Sequence, residues 1–83
     1  MNNLLYPTAD FDDVFGEMVR GHNIFGRFQS AHEAHSVIRE EVEELWDIVK
    51  ATKTRGFDDP NGARKELIQI MACCARALQY FDL

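Results

Sequence analysis

The 83-residue chain has only two cysteines, and they are neighbours, Cys73 and Cys74. Adjacent cysteines rarely bridge each other, and two are too few for a disulfide framework. Both are expected to be buried thiols in a reducing compartment. Long apolar runs are missing too, since none approaches the roughly 18 to 20 residues of a membrane span. The opening residues, Met-Asn-Asn-Leu-Leu-Tyr-Pro, have neither the charged start nor the long apolar core of a secretory signal. A cytoplasmic protein without a membrane partner is therefore expected. Positive charge is scarce: nine Lys and Arg stand against fourteen Asp and Glu, for a net charge of −5. With no basic run or stripe, nucleic acid and anionic membrane are disfavoured as main partners, and cations or cation-borne ligands fit better.

Proline occurs twice, at Pro7 and Pro60. Residues 1 to 9 read as an extended lead-in in which Pro7 blocks an early helix, and Thr8 or Asp10 can cap the helix that follows. Helical spacing of Phe11, Val14, Phe15, Met18 and Val19 predicts a first helix over about 10–22, weakened by Gly16 and Gly21. Ser30-Ala31-His32-Glu33 is a capping box, and no Gly or Pro interrupts the following stretch. A second helix is predicted over about 31–54, with Gly56 as its terminating residue. Asp59-Pro60 pairs an N-cap with proline at the first helical position, and a third helix follows over about 60–81. Its expected main stripe is Ala63, Leu67, Ile70, Met71, Cys74, Leu78 and Phe81. Ala72, Cys73, Ala75 and Ala77 widen its apolar surface almost all round, as in a helix covered on more than one side.

The composition, 46% hydrophobic and 28% charged, is that of a globular chain. The whole, residues 1–83, is expected to be a single all-α domain of three main helices in an antiparallel arrangement. A chain this short has a thin core, so the bundle is expected to be completed by oligomerisation.

The most informative stretch is Arg39-Glu40-Glu41-Val42-Glu43-Glu44-Leu45-Trp46-Asp47. At about 100° per residue, Ile38, Val42, Leu45 and Val49 share one helical stripe. Glu41 lies on its shoulder, and Glu44 lies beside Val37 and Ile48. On the third helix Glu66 occupies the shoulder of the Leu67/Met71/Cys74 stripe. A short connection lets the two helices bring Glu41 and Glu44 to face Glu66. Carboxylates gathered there repel unless a charge compensates them. A hard divalent cation with oxygen ligands resolves this, and Mg²⁺ retaining several waters is the first choice.

In this context Glu40-Glu41-Val42-Glu43-Glu44-Leu45 resembles the Glu-Glu-x-x-Glu-Leu signature of the MazG-like, all-α nucleoside triphosphate pyrophosphohydrolases. The family pattern continues, after a spacer, with Glu-x-x-Asp. Here 21 residues separate Glu44 from Glu66-Leu67-Ile68-Gln69, and Gln69 stands where the family usually has Asp. The resemblance covers about residues 10 to 82. It implies a helical homodimer or homotetramer that hydrolyses a nucleoside triphosphate to the monophosphate and pyrophosphate with Mg²⁺, or Mn²⁺ as the alternative ion. By position it makes Glu41, Glu44, Glu66 and Gln69 the metal ligands, Gln69 through its carbonyl oxygen. Glu40 and Glu41 carry the catalytic expectation, Glu40 as ligand to a second ion or as the group that orients the attacking water. The metals would polarise the α-phosphate and lower the pKa of that water.

Lys50, Lys53, Arg55, Arg64 and Lys65 cluster around the turn between the second and third helices. They suit dipole complementation and solubility, and Lys53, Arg64 and Lys65 are also the candidates for substrate phosphates. Phe25 and Phe28 read as plugs over the core edge or as rings that hold a base. Trp46 reads as a core or interface residue, with base stacking as the alternative. Arg76 and Tyr80 read as interface groups, and the spacing of His32 and His35 does not make a metal pair. Two other functions fit the same sequence. One is a metal- or nucleotide-binding module that lacks turnover, as Gln69 suggests; the other is a structural helical oligomer.

Overall fold

The computed structural model describes residues 8–80. Residues 1–7 with Pro7, the side chains of Thr8 and Tyr80, and Phe81 at the end of the third-helix stripe lie outside the described residues. The expected extended lead-in is corrected at its end, since α1 already includes Thr8 and Ala9, and Asp10 lies inside its first turn. The described chain is all-helical: α1 (Thr8–Phe25), α2 (Ala31–Ala51) and α3 (Pro60–Tyr80). α3 packs against both α1 and α2. No helix among the described residues is long and apolar enough to cross a membrane.

Each helix end has an identifiable cause. α1 runs three residues past its expected end and stops at Gly26, whose φ of 74° is the left-handed conformation glycine adopts without strain. Gly21 does not break it, because this buried glycine packs directly against Arg76. α2 starts as its sequence predicts: the Ser30 hydroxyl accepts the Glu33 N–H at 3.1 Å, and the Glu33 carboxylate accepts the Gln29 N–H at 3.0 Å. It ends at Ala51, short of the expected Gly56 stop. Thr52 turns extended there, its hydroxyl donating to the Ile48 carbonyl at 2.9 Å. Asp58 then accepts the Lys53 N–H and the Thr54 hydroxyl, both at 2.8 Å. This local network satisfies backbone and hydroxyl groups in place of another helical turn. At the start of α3 the Asp59 carboxylate accepts the Gly62 N–H at 3.0 Å. A Cβ on Gly62 would meet that carboxylate, so a larger residue there would make the Asp59 side chain turn.

The core is built around Val14 of α1 and Ile68 and Ala72 of α3, with Met18 packed against it. Ala34, Ala63, Phe28 and Cys73 are also buried. The expected α3 stripe is therefore corrected. The buried face passes through Ala63, Ile68, Ala72 and Cys73, while Leu67, Met71, Cys74 and Leu78 are exposed. The α2 stripe is split in the same way, with Ile38 and Leu45 half-buried and Val42 and Val49 exposed. The small side chains of α3 let its neighbours approach closely, so that face goes inward and the larger residues stay outside.

Candidate metal centre

The uninterrupted, capped α2 fixes the facing of its acidic run. Glu41 is half-buried and Glu44 exposed, three residues apart on neighbouring turns. Glu66, half-buried on α3, meets them where the two helices pack. Each of the three offers a carboxylate oxygen, and these oxygens all lie within 4.8 Å of one another. Glu66, distant in sequence, thus converges with Glu41 and Glu44 as expected, although the Leu67/Met71/Cys74 stripe used to place it faces outward.

The electrostatics are those of a crowded acidic site. The Glu44 carboxyl is pushed above its ordinary value, first by its hydrogen bond to Glu66, then by burial and by the charges of Glu66 and Glu40. Glu66 is pushed up first by burial and next by its hydrogen bond to Glu41, against the lowering influence of Glu44 and Lys65. The Glu44–Glu66 contact thus acts in opposite senses on its partners, because one proton serves both. Its placement belongs to the group, and the upward direction holds for both residues. Oε2 of Glu66 is buried and has no hydrogen-bond partner among the described residues. A buried carboxylate oxygen without a partner is costly, and a cation or a proton is what relieves it. The donor set, oxygen only and anionic, fits a hard divalent ion.

The other expected site residues are distributed around this centre. Glu40 is exposed, and its charge helps to raise Glu44. Lys65 is near enough for its charge to lower both Glu66 and Glu17. Arg64 is held between α1 carboxylates, its Nη2 bridging Asp10 and Asp13. Lys53 lies in the α2–α3 turn, where its backbone N–H binds Asp58. The Gln69 amide turns toward α1 and donates to Glu17 Oε2 at 2.8 Å. Gln69 still borders a cleft that it shares with Glu40 and Glu41.

Glu17 is the residue that the sequence did not single out. The same Oε2 accepts Arg20 Nε at 2.9 Å, and these bonds, Arg20 first and Gln69 second, hold its carboxyl below the usual range. Its only sequence signal is its place beside Val14 and Met18 on the inward side of α1. Cys73 is buried as expected, whereas Cys74 is exposed. Burial, with the charge of Glu41, pushes the Cys73 thiol up, so it stays protonated and inert as a nucleophile.

Comparison of this chain with protein-family models, curated proteins and solved structures gives no match.

Proposed function

We propose that this chain is a Mg²⁺-dependent nucleoside triphosphate pyrophosphohydrolase of the MazG-like kind, working as a homo-oligomeric bundle of antiparallel helices. The observation that carries this reading is the convergence of Glu41, Glu44 and Glu66 within 4.8 Å, with an unpartnered buried oxygen on Glu66. Those three residues hold the ion, and Gln69 can add its carbonyl oxygen. Bound Mg²⁺, with Mn²⁺ as an alternative, supplies phosphate binding and an acidified water. Glu40 orients the attacking water and accepts its proton as the water oxygen bonds to the α-phosphorus. The bond from that phosphorus to the α–β bridging oxygen breaks, giving nucleoside monophosphate and pyrophosphate. Lys65 is the best placed of the cations to meet the phosphates. Arg64 would first exchange its carboxylate partners, and Lys53 lies further along the turn. Incubation with a panel of nucleoside triphosphates and Mg²⁺ tests the reading: pyrophosphate is released by the wild type and reduced at least 100-fold in Glu44→Ala. Folded wild-type protein that releases none from any of them overturns it.

A second reading is supported by one contact, the Gln69 amide bound to Glu17. In this reading the site binds a metal nucleotide without turnover, because position 69 lacks a carboxylate. Turnover that appears only in Gln69→Asp selects it.

A further inference from the structure

Beside the carboxylate cluster lies a cleft of about 520 Å³, between the C-terminal half of α1, the α1–α2 loop, α2 and α3. It shares Glu41 with the cluster. Its volume falls within the range of small-molecule sites. One wall is built from Arg76 and two rings. The Arg76 guanidinium carbon sits 4.5 Å from the Phe28 ring centroid and 5.9 Å from that of Phe25. Its Nη2 donates to the Gly26 carbonyl at 3.0 Å, which ties α3 to the loop. Gly21 makes room for this arrangement, since a Cβ there would lie 3.0 Å from Arg76 Nη1. The two rings differ in what is left for a ligand. Phe28 is buried, with 4% exposure, and forms the floor, whereas Phe25 is 71% exposed.

Resting on the metal–phosphate reading above, we infer that this cleft takes the nucleobase and sugar of the nucleotide, with Phe25 as the stacking ring and Arg76 as an edge donor. A planar heterocycle needs an aromatic or guanidinium face to lie on and polar groups at its edge. Phe25 supplies the first need, and Arg76, Glu40 and Gln69 supply the second. The charges favour the base over the phosphates here. Glu17, Glu33, Glu40 and Glu41 line the cleft against Arg20 and Arg76, so a bare phosphate is repelled and belongs with the ion at the far side of Glu41. The shared residue sets the direction of the bound nucleotide.

The test is titration calorimetry with Mg²⁺, using α,β-methylene analogues of the four ribonucleoside triphosphates and, separately, inorganic tripolyphosphate. In the wild type the best-bound analogue binds at least 10-fold tighter than tripolyphosphate. Phe25→Ala, an exposed position where folding is preserved, weakens the analogue roughly 5- to 150-fold, the range of one stacked base, and leaves tripolyphosphate unchanged. Gly21→Ala, whose Cβ would press on Arg76, likewise weakens the analogue and leaves tripolyphosphate unchanged. Equal affinity of all analogues and tripolyphosphate for the wild type, or Phe25→Ala binding the analogue as the wild type does, overturns the cleft. Loss of tripolyphosphate binding with retained, Phe25-dependent analogue binding overturns the phosphate reading and keeps the cleft. No binding of either compound overturns both.

Discussion

Glu66 and Glu44 make metal-free stability depend on pH in a definite sense. Both hold their protons more tightly in the folded chain than at the ordinary carboxylate value of 4.5. The groups that face them are Glu40, Glu41 and Lys65, and the balance is repulsive. Between 4.5 and the raised values the folded state binds more protons than the unfolded state, so stability falls as pH rises through that window and stays lower above it. Glu17 acts oppositely: its lowered value gives a contribution that is lost as pH falls through the acid range. Thermal melts in EDTA are therefore expected to peak in weak acid and decline toward neutrality, and Glu66→Gln to flatten that decline. Mg²⁺ at pH 7.5 and 100 times its Kd would restore about 2.7 kcal/mol. That raises Tm by roughly 10 to 20 °C in a domain of this size. A profile identical in Glu66→Gln, with no response to Mg²⁺, would contradict the assignment of the three carboxylates. These residues were legible in the sequence because helical spacing puts Glu41 and Glu44 on neighbouring turns and Glu66 in one row with the buried Cys73, although the Leu67/Met71/Cys74 stripe beside Glu66 faces outward. The Glu17–Gln69 contact was not, because it depends on how α1 registers against α3, and no spacing within one helix encodes that.

At the scale of the element, α2 matters most, since it aims two of the three carboxylates. Its N-terminus rests on the Ser30 hydroxyl and on Glu33, which closes back onto Gln29. Ser30→Ala removes one half of this and is expected to cost about 1 kcal/mol. Calorimetry would read that as a fall in Tm of roughly 4–8 °C. An unchanged Tm would mean that tertiary packing alone holds the first turn. The α2 start and the α3 cap were readable because each is a local side-chain contact within four residues. The ends of α1 and α2 were read less well, for separate reasons. Gly21 costs about 1 kcal/mol as an isolated helix residue, yet here its missing Cβ admits Arg76 from α3, a contact distant in sequence. Thr52 ends α2 because Asp58, six residues on, organises the turn that follows. The inward face of α3 was misread because apolar size pointed to Leu67 and Met71, whereas the small Ala63, Ala72 and Cys73, which let the neighbouring helices approach closely, go inside.

For the molecule as a whole, the unusual feature is how much large apolar surface one chain leaves uncovered. Trp46, Val42 and Val49 are 55%, 45% and 38% exposed and fall on one stripe of α2. Phe11 and Phe15 of α1, and Leu67 and Met71 of α3, make further exposed pairs at helical spacing. Surface of this kind, continuous along a helix, is what partner subunits cover. The buried side chains are mostly small, so the single chain has little core with which to offset the entropy of ordering. Wild-type protein at micromolar concentration is thus expected to sediment at two or four times the 9.6 kDa chain mass. Val42→Glu/Trp46→Glu, which puts charge into the α2 stripe, would shift it toward the monomer. A wild-type species of 9.6 kDa would refute the assembly. The same double variant separates assembly from metal binding. Glu41, Glu44 and Glu66 all belong to one chain, so a folded monomeric variant should keep the Mg²⁺-dependent rise in Tm. If it remains folded but loses that rise, a neighbouring subunit completes or braces the site.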